Sequence, residues 1–235
     1  MTALENQAAR RSATTPLSRH VAVALTGASG ACYGIELVRQ LLAADCRVSL
    51  LASRAGRQVV ELETGQVWPA EVASWQDAMQ AYFATSASRL RCYGADDFCA
   101  PVASGSAAAD ALVVVPASMG CLGRLAAGIS SNLIERAADV MLKENRPLLL
   151  VPRETPLSRI HLANLLRLAE AGAVIVPAMP AFYTQPRSID DLIHFVVGKL
   201  LDQLGIAHQL FVRWGAAAPT GGNGDSGSCS YVDCD

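Results

Sequence analysis

Near the middle of the chain, the apolar run Leu148-Leu149-Leu150-Val151-Pro152 leads directly into Arg153-Glu154. A guanidinium holds an anion through a rigid fork of donors, and a carboxyl beside it can move a proton. A short apolar run of this kind reads as a fully buried strand. Ligands of open α/β sheets bind just beyond the carboxyl ends of such strands. The same pair on an ordinary surface is an ion pair of little consequence. Its meaning therefore depends on what else reaches that end of the sheet.

Small polar residues recur at the other strand ends. The apolar stretch Val21–Thr26 opens into Gly27-Ala28-Ser29-Gly30. Glycines there let a ligand approach the backbone, and the helix that follows presents free N–H groups to a phosphate. The spacing Gly27, Gly30, Gly34 is not G-x-G-x-x-G, so the dinucleotide fingerprint is not met. Ser53 follows the strand Cys46–Ala52. Ser118 follows the strand Ala111–Val115, within Pro116-Ala117-Ser118-Met119-Gly120. Either serine alone is an ordinary helix cap. Several such ends in a doubly wound sheet converge on one crevice suited to a nucleotide-like cofactor. Ala103-Ser104-Gly105-Ser106 adds small polar groups. Lys143 ends a helical pattern, where a cation also complements the helix dipole. Lys199 sits among Val196, Val197, Leu200 and Leu201, where snorkelling to a surface is the ordinary role. Tyr183 lies in the loop after the last strand. His161 and His194 occupy helical positions and read as packing or solvated groups.

The elements that must position these groups alternate. Strands at Val21–Thr26, Cys46–Ala52, Ala111–Val115, Pro147–Val151 and Ala173–Val176 are separated by helical patterns. One carries Ile35, Leu37, Val38, Leu41 and Leu42. Others span Leu122–Ala127, Leu133–Lys143, Ser158–Ala171 and Ile189–Leu204. This predicts a three-layer α/β fold with a doubly wound, mainly parallel sheet, Rossmann-like or flavodoxin-like. Trp68–Pro101 is less regular, and a short helix near Trp75–Phe83 with an excursion over one sheet edge is expected. A single domain over 20–215 is expected, with a disordered polar leader at 1–19 and a disordered Gly/Ser/Asp tail at 216–235.

Composition narrows the class. The chain has 235 residues, 51% hydrophobic and 17% charged, which suits one domain with a full core. A net charge of −2 argues against a general nucleic-acid binder. No apolar run has the length of a membrane span, and the leader lacks an apolar signal core. The expected compartment is the cytoplasm. The seven cysteines show no zinc-ligand spacing, so no metal site is expected. Cys32, Cys46, Cys92, Cys99 and Cys121 read as buried reduced thiols, and Cys229 and Cys234 fall in the tail.

Longer stretches carry a family pattern: Leu25–Gly34 (LTGASGACYG), Ser131–Glu154 (SNLIERAADVMLKENRPLLLVPRE), Ala173–Tyr183 (AVIVPAMPAFY) and the ending Phe211-Val212-Arg213-Trp214-Gly215. Together they resemble the flavin prenyltransferase family, the UbiX/Pad1 group. The resemblance implies reduced FMN as prenyl acceptor, dimethylallyl phosphate as donor and no metal. It implies new bonds at flavin N5 and C6, a prenylated flavin destined for a UbiD-type decarboxylase, and a homo-oligomer, a dodecamer. Gly27, Ala28 and Ser29 match the family's flavin-binding turn. Ser53, the segment Ser118-Met119-Gly120-Cys121, and Arg153 match its other flavin contacts. Lys143, Arg153, Glu154, Tyr183 and Lys199 match the pocket for the prenyl phosphate. Glu63 matches a catalytic acidic residue near the active site, contributed across a subunit boundary in the family. Relatives often carry cysteine at the position of Ala117 and arginine at that of Lys199. Lysine keeps the charge but lacks the bidentate fork.

Phosphate leaves readily only when its charge is neutralised, which assigns Lys143, Arg153 and Lys199 an electrostatic role. Glu154 is expected to supply a proton to the departing phosphate, and Ser29 to pass one near N5. Met119 and Phe98 are expected to wall the allyl group from water. Three rival readings fit less well. A flavoprotein cysteine decarboxylase on the same fold uses a histidine early in the chain, and the first half here has only His20. A short-chain dehydrogenase fails on the glycine spacing and on its Tyr-x-x-x-Lys. The alternative from another class, a non-catalytic flavin-binding subunit of a decarboxylase complex, has no need of Lys143, Glu154 and Tyr183 together.

Overall fold

Alternate residues of the apolar runs face opposite sides of one sheet, and both sides are covered. The computed structural model describes residues 19–215. Residues 1–18 and 216–235, which hold nearly all of the expected leader and the tail with its two cysteines, lie outside the described residues. The strands are β1 (His20–Leu25), β2 (Arg47–Ala52), β3 (Leu90–Tyr93), β4 (Ala111–Ala117), β5 (Leu148–Pro152) and β6 (Val174–Ile175). They form one six-stranded sheet in the order β3-β2-β1-β4-β5-β6. Every neighbouring pair is parallel. The helices are α1 (Ala31–Ala43), α2 (Arg54–Thr64), α3 (Val72–Tyr82), α4 (Met119–Ala126), α5 (Leu133–Lys143), α6 (Arg159–Glu170) and α7 (Ile189–Leu204).

The period of two along each strand divides the core. Val21, Val23, Val113, Val115, Leu149 and Val151 pack with α1, α3 and α7 on one face. Ala22, Ala24, Leu112, Val114, Leu148 and Leu150 pack with α4 and α5 on the other. Burial on both faces is why these strands read as continuous apolar runs rather than alternating ones. The expected three-layer, doubly wound architecture is present, and its sheet is wholly parallel.

The sheet has one strand more than the five expected. In β3 only Leu90 and Cys92 are buried while Arg91 is exposed, too short an alternation to stand out. Its free edge is closed by Gln76 of α3, whose side chain donates to the Leu90 carbonyl at 2.9 Å and accepts from the Cys92 amide at 2.8 Å. Helix α3 begins earlier than expected because the Glu71 carboxylate caps it, accepting from the Ala73 and Ser74 amides at 2.9 and 2.6 Å. The last strand is shorter than expected, reduced to Val174–Ile175.

A buried carboxylate fixes the join between α4 and α5. Glu135 is 0% exposed and accepts from Arg124 Nε at 2.5 Å and from the Ser131 amide and hydroxyl at 2.9 and 2.6 Å. Asn132 caps the helix by accepting from the Glu135 amide at 3.0 Å. The polar residues of this segment thus satisfy one another and the helix end.

Candidate active site

Strand order reverses between β1 and β4, and chain leaves these neighbours toward opposite faces, opening a crevice at their carboxyl ends. Thr26, 3% exposed, locks the two ends together. Its amide and hydroxyl both donate to the Pro116 carbonyl, at 3.2 and 2.8 Å, and its hydroxyl accepts from the Ser118 amide at 2.7 Å. Sequence reasoning passed over Thr26. The available signal was a lone hydroxyl closing an apolar strand.

The turn Gly27–Gly30 enters α1 through Gly30, whose φ of +109° suits glycine. A Cβ on Gly27 would stand 2.7 Å from that of Ala55, so its lack of a side chain serves the packing of α2. The N-terminus of α1 was expected to offer free N–H groups to a phosphate. Glu63, at the far end of α2, already takes them: its carboxylate accepts from the Gly30 amide at 3.0 Å and the Ala31 amide at 2.8 Å. A negative charge at a helix N-terminus is favourable, which explains the placement. Within the described chain, the first two amides at the α1 terminus are taken by Glu63.

Two other helix N-termini face the crevice. Ser53 caps α2, its hydroxyl accepting from the Gly56 amide at 2.9 Å. Ser118 caps α4, accepting from the Cys121 amide at 3.4 Å. The first-turn amides of Met119 and Gly120 have no intrahelical carbonyl to meet. A Cβ on Gly120 would touch only Arg124, at 3.7 Å, so its bare backbone is open to a ligand. This donor set of hydroxyls, terminal amides and a nearby guanidinium fits a phosphorylated, planar cofactor such as FMN. Met119 and Cys121 are buried in the core. Burial pushes the Cys121 thiol up to about 12, leaving it protonated. Ala28 is buried, and Ser29 stands exposed at the turn.

Arg153 spans the crevice. Its Nε donates to the Ser29 carbonyl at 3.2 Å, bridging the ends of β5 and β1 across β4. Arg153 and Glu154 do not pair with each other, so the ordinary surface ion pair is not what this strand end holds. Among the described residues, the exposed Glu154 carboxylate accepts only from the Thr155 amide, at 3.1 Å. Tyr33, on the first turn of α1, lies near Arg153 and Glu63, and burial raises its phenol. A groove of about 710 Å³ on the outer side of α2 is lined by Arg54, Arg57, Trp68, Asp96 and Asp97, apart from these groups.

The remaining candidates sit elsewhere. Lys143 ends α5, at the start of β5, so the length of that strand, about 16 Å, separates it from Arg153. Its ammonium lies 3.0 Å from Glu144. The Glu144 carboxylate packs on Gly105, which places the Ser104–Ser106 segment at this same opposite end of the sheet. Tyr183 stands half-exposed with its ring edge-on to Phe195 at 5.8 Å and to Trp214 at 5.1 Å. Lys199 is half-exposed on α7, 3.9 Å from Asp202. In the sequence Trp214 belongs only to the terminal motif, and its contact with Tyr183 is a long-range one. Phe98 is exposed on the loop after β3. Cys99 is exposed rather than buried, and all five described cysteines are free.

A wholly parallel, doubly wound sheet with hydroxyls, open amides and a guanidinium gathered at its switch point defines a cofactor-binding flavoprotein, and the family model described as Flavoprotein matches residues 9–201. The chain is 48% identical over 195 residues to the flavin prenyltransferase UbiX of Pseudomonas aeruginosa, covering 83% of this chain and 93% of that protein. It is 41% identical over 211 residues to the mitochondrial flavin prenyltransferase PAD1 of Saccharomyces cerevisiae, covering 90% and 81%. A UbiX crystal structure in complex with FMN and dimethylallyl pyrophosphate superposes with a TM-score of 0.76 at 39% identity, over 86% of this chain and all, 100%, of that one. A dodecameric FMN-dependent UbiX-like decarboxylase from Escherichia coli gives 0.73 at 38%, over 84% and 100%. The chain belongs to the flavin prenyltransferase family.

Proposed function

We propose that this enzyme joins the dimethylallyl group of dimethylallyl phosphate to N5 and C6 of reduced FMN, releases phosphate, and supplies the prenylated flavin to a UbiD-type decarboxylase. The observation that carries the site assignment is the Arg153–Ser29 contact, which sets a guanidinium over the turn and leaves Glu154 unpaired with it. When bound, reduced FMN supplies the nucleophilic ring positions. The turn Gly27-Ala28-Ser29, Ser53, the segment 118–121 and Arg153 hold and orient it. Glu63 fixes the turn from within the same chain. Arg153 and Lys199 neutralise the donor phosphate, Tyr183 donates a hydrogen bond to it, and Glu154 delivers a proton to the departing oxygen. Ser29 Oγ carries the proton at N5.

Lys143 completes this constellation only from another subunit, because its own chain keeps it at the opposite end of the sheet. The proposed assembly is a dodecamer. In support, Ile160, Leu162 and Leu166 on α6 are 72%, 53% and 60% exposed, an apolar surface of the kind that subunit contacts cover. Among the described residues no helix is long and apolar enough to cross a membrane. The free thiols suit a reducing compartment, and the cytoplasm is the proposed one.

The test is anaerobic incubation with reduced FMN and dimethylallyl phosphate, followed by mass analysis of the flavin. A five-carbon adduct establishes the transferase. FMN returned unmodified from a protein that binds it tightly would instead identify the non-catalytic flavin-binding subunit.

A further inference from the structure

The described chain ends in a segment, 206–215, that folds back along α7. Phe195, Gly198, Lys199 and Asp202 lie on one stripe of that helix, at spacings of three and four. Gly198 permits the approach: a Cβ there would stand 2.5 Å from Phe211 and 2.7 Å from His208. Phe211 packs on Phe195 with ring centroids 5.0 Å apart. The polar anchor is Asp202. Arg213 donates to both its oxygens, Nη1 to Oδ2 at 3.1 Å and Nη2 to Oδ1 at 2.7 Å. The nearly buried His208 lies 3.1 Å from Oδ1. His208 Nδ1 accepts from the Leu210 amide at 3.2 Å, so the ring's Nε2 is the donor to Asp202. Lys199 Nζ is 3.9 Å from Oδ2. One carboxylate therefore gathers three basic side chains, and the residue after Arg213 is Trp214, whose ring meets Tyr183.

We propose that Asp202 is a positioning residue for the prenyl-phosphate face: it clamps Arg213, so that Trp214 is held against Tyr183, and it keeps the Lys199 ammonium on the same face. This inference rests on the reading that Tyr183 and Lys199 meet the donor. Asp202 itself touches neither donor nor flavin and acts through its three partners. The bidentate pairing with Arg213 gives the clamp both charge and direction. Release of the clamp loosens the donor's surroundings while leaving the flavin crevice at the β1–β4 switch point as it was.

The test compares Asp202→Asn, Asp202→Glu, Arg213→Ala, Tyr183→Phe and Lys199→Ala in the full chain. The readouts are donor KM, kcat, FMN affinity, thermal stability and the rate of tryptic cleavage after Arg213. Asp202→Asn is expected to raise donor KM about tenfold, the scale of one lost charged hydrogen bond. It should leave FMN affinity within about twofold and kcat far less affected than KM. It should also speed cleavage after Arg213. Arg213→Ala should raise KM similarly, and the double variant should add little, as expected for partners in one contact. Asp202→Glu should restore part of the loss. The inference is overturned if Asp202→Asn leaves donor KM unchanged while Tyr183→Phe and Lys199→Ala raise it. It is also overturned if FMN affinity and thermal stability fall in step with KM, the mark of a merely structural residue. If Tyr183→Phe and Lys199→Ala leave KM unmoved, the donor face itself is misassigned, and both readings fall together.

Discussion

Arg153 Nε donates to the carbonyl of Ser29 at 3.2 Å, so a side chain from the end of β5 holds the turn at the end of β1. The contact uses one edge of the guanidinium and leaves the two terminal nitrogens for a ligand. Replacing Arg153 by alanine should weaken FMN binding by about 1.5–3 kcal/mol, roughly ten- to a hundredfold. Arg153→Lys should recover less than half of that, since lysine cannot both reach Ser29 and present a fork. Titration of FMN fluorescence measures both. Unchanged affinity in Arg153→Ala would reduce the residue to a brace for the turn.

Glu63 closes the N-terminus of α1 by accepting from Gly30 and Ala31. Glu63→Ala should destabilise the protein by about 1–2 kcal/mol, as the loss of a charged cap does. Glu63→Gln should lose less. The vacated amides then become an anion site, so inorganic phosphate should raise the melting temperature of Glu63→Ala more than that of the parent protein. Equal phosphate responses in the two proteins would show that the terminus stays closed without Glu63.

The sequence made the fold legible where apolar runs were long and unbroken. β1, β4 and β5 are buried on both faces, as the inner strands of a parallel sheet covered by helices are. β3 was hidden because two buried residues do not make a period, and its edge is satisfied by Gln76 from another element. The strand-end serines were legible as caps and are caps, and their common crevice followed from topology. What sequence could not supply was direction across the fold. Lys143 stands ten residues before Arg153 in the chain, yet a helix end and a strand end place them at opposite ends of the sheet's strands. Glu63 meets Gly30 across 33 positions, and Trp214 meets Tyr183 through a fold-back that no local pattern announces.

Glu135 offers a test of stability against pH. Burial raises its carboxyl, but hydrogen bonds from Ser131 and Arg124 outweigh that and hold it below the usual range. A carboxyl depressed in the folded state contributes stability that is fully present above its unfolded pKa, about 4.3. That contribution is lost as pH falls through the lower, folded value. Glu135→Gln should cost about 2–4 kcal/mol at pH 7, since the amide keeps one acceptor oxygen, turns an NH2 toward the donors that met the other, and removes the charge that Arg124 pairs with. Its stability should also fall less steeply than the parent's below pH 5. Denaturant unfolding at pH 7 and pH 4 gives both numbers. Parallel pH profiles would mean that other carboxylates govern the acid limb.

The separation of Lys143 from Glu154 predicts complementation between inactive chains. In a site built within one chain, Lys143→Ala and Glu154→Gln would each be dead, and their mixture equally so. In a site that takes Glu154 from one subunit and Lys143 from another, co-expression yields some sites with both native residues. Random association at equal amounts leaves about a quarter of the sites intact. Each variant alone should retain less than about a hundredth of the parent rate, the scale expected for loss of a proton donor or a phosphate-neutralising charge. Co-purified mixed oligomers, each variant carrying a different affinity tag, should therefore recover roughly a quarter of the parent turnover. A control mixture of Glu154→Gln with Arg153→Ala should recover nothing, because both residues close the same end of β5 in one chain. Recovery in the first mixture but not the second would place Lys143 in a neighbour's site. Failure of both would mean that Lys143 serves only its own helix end, beside Glu144.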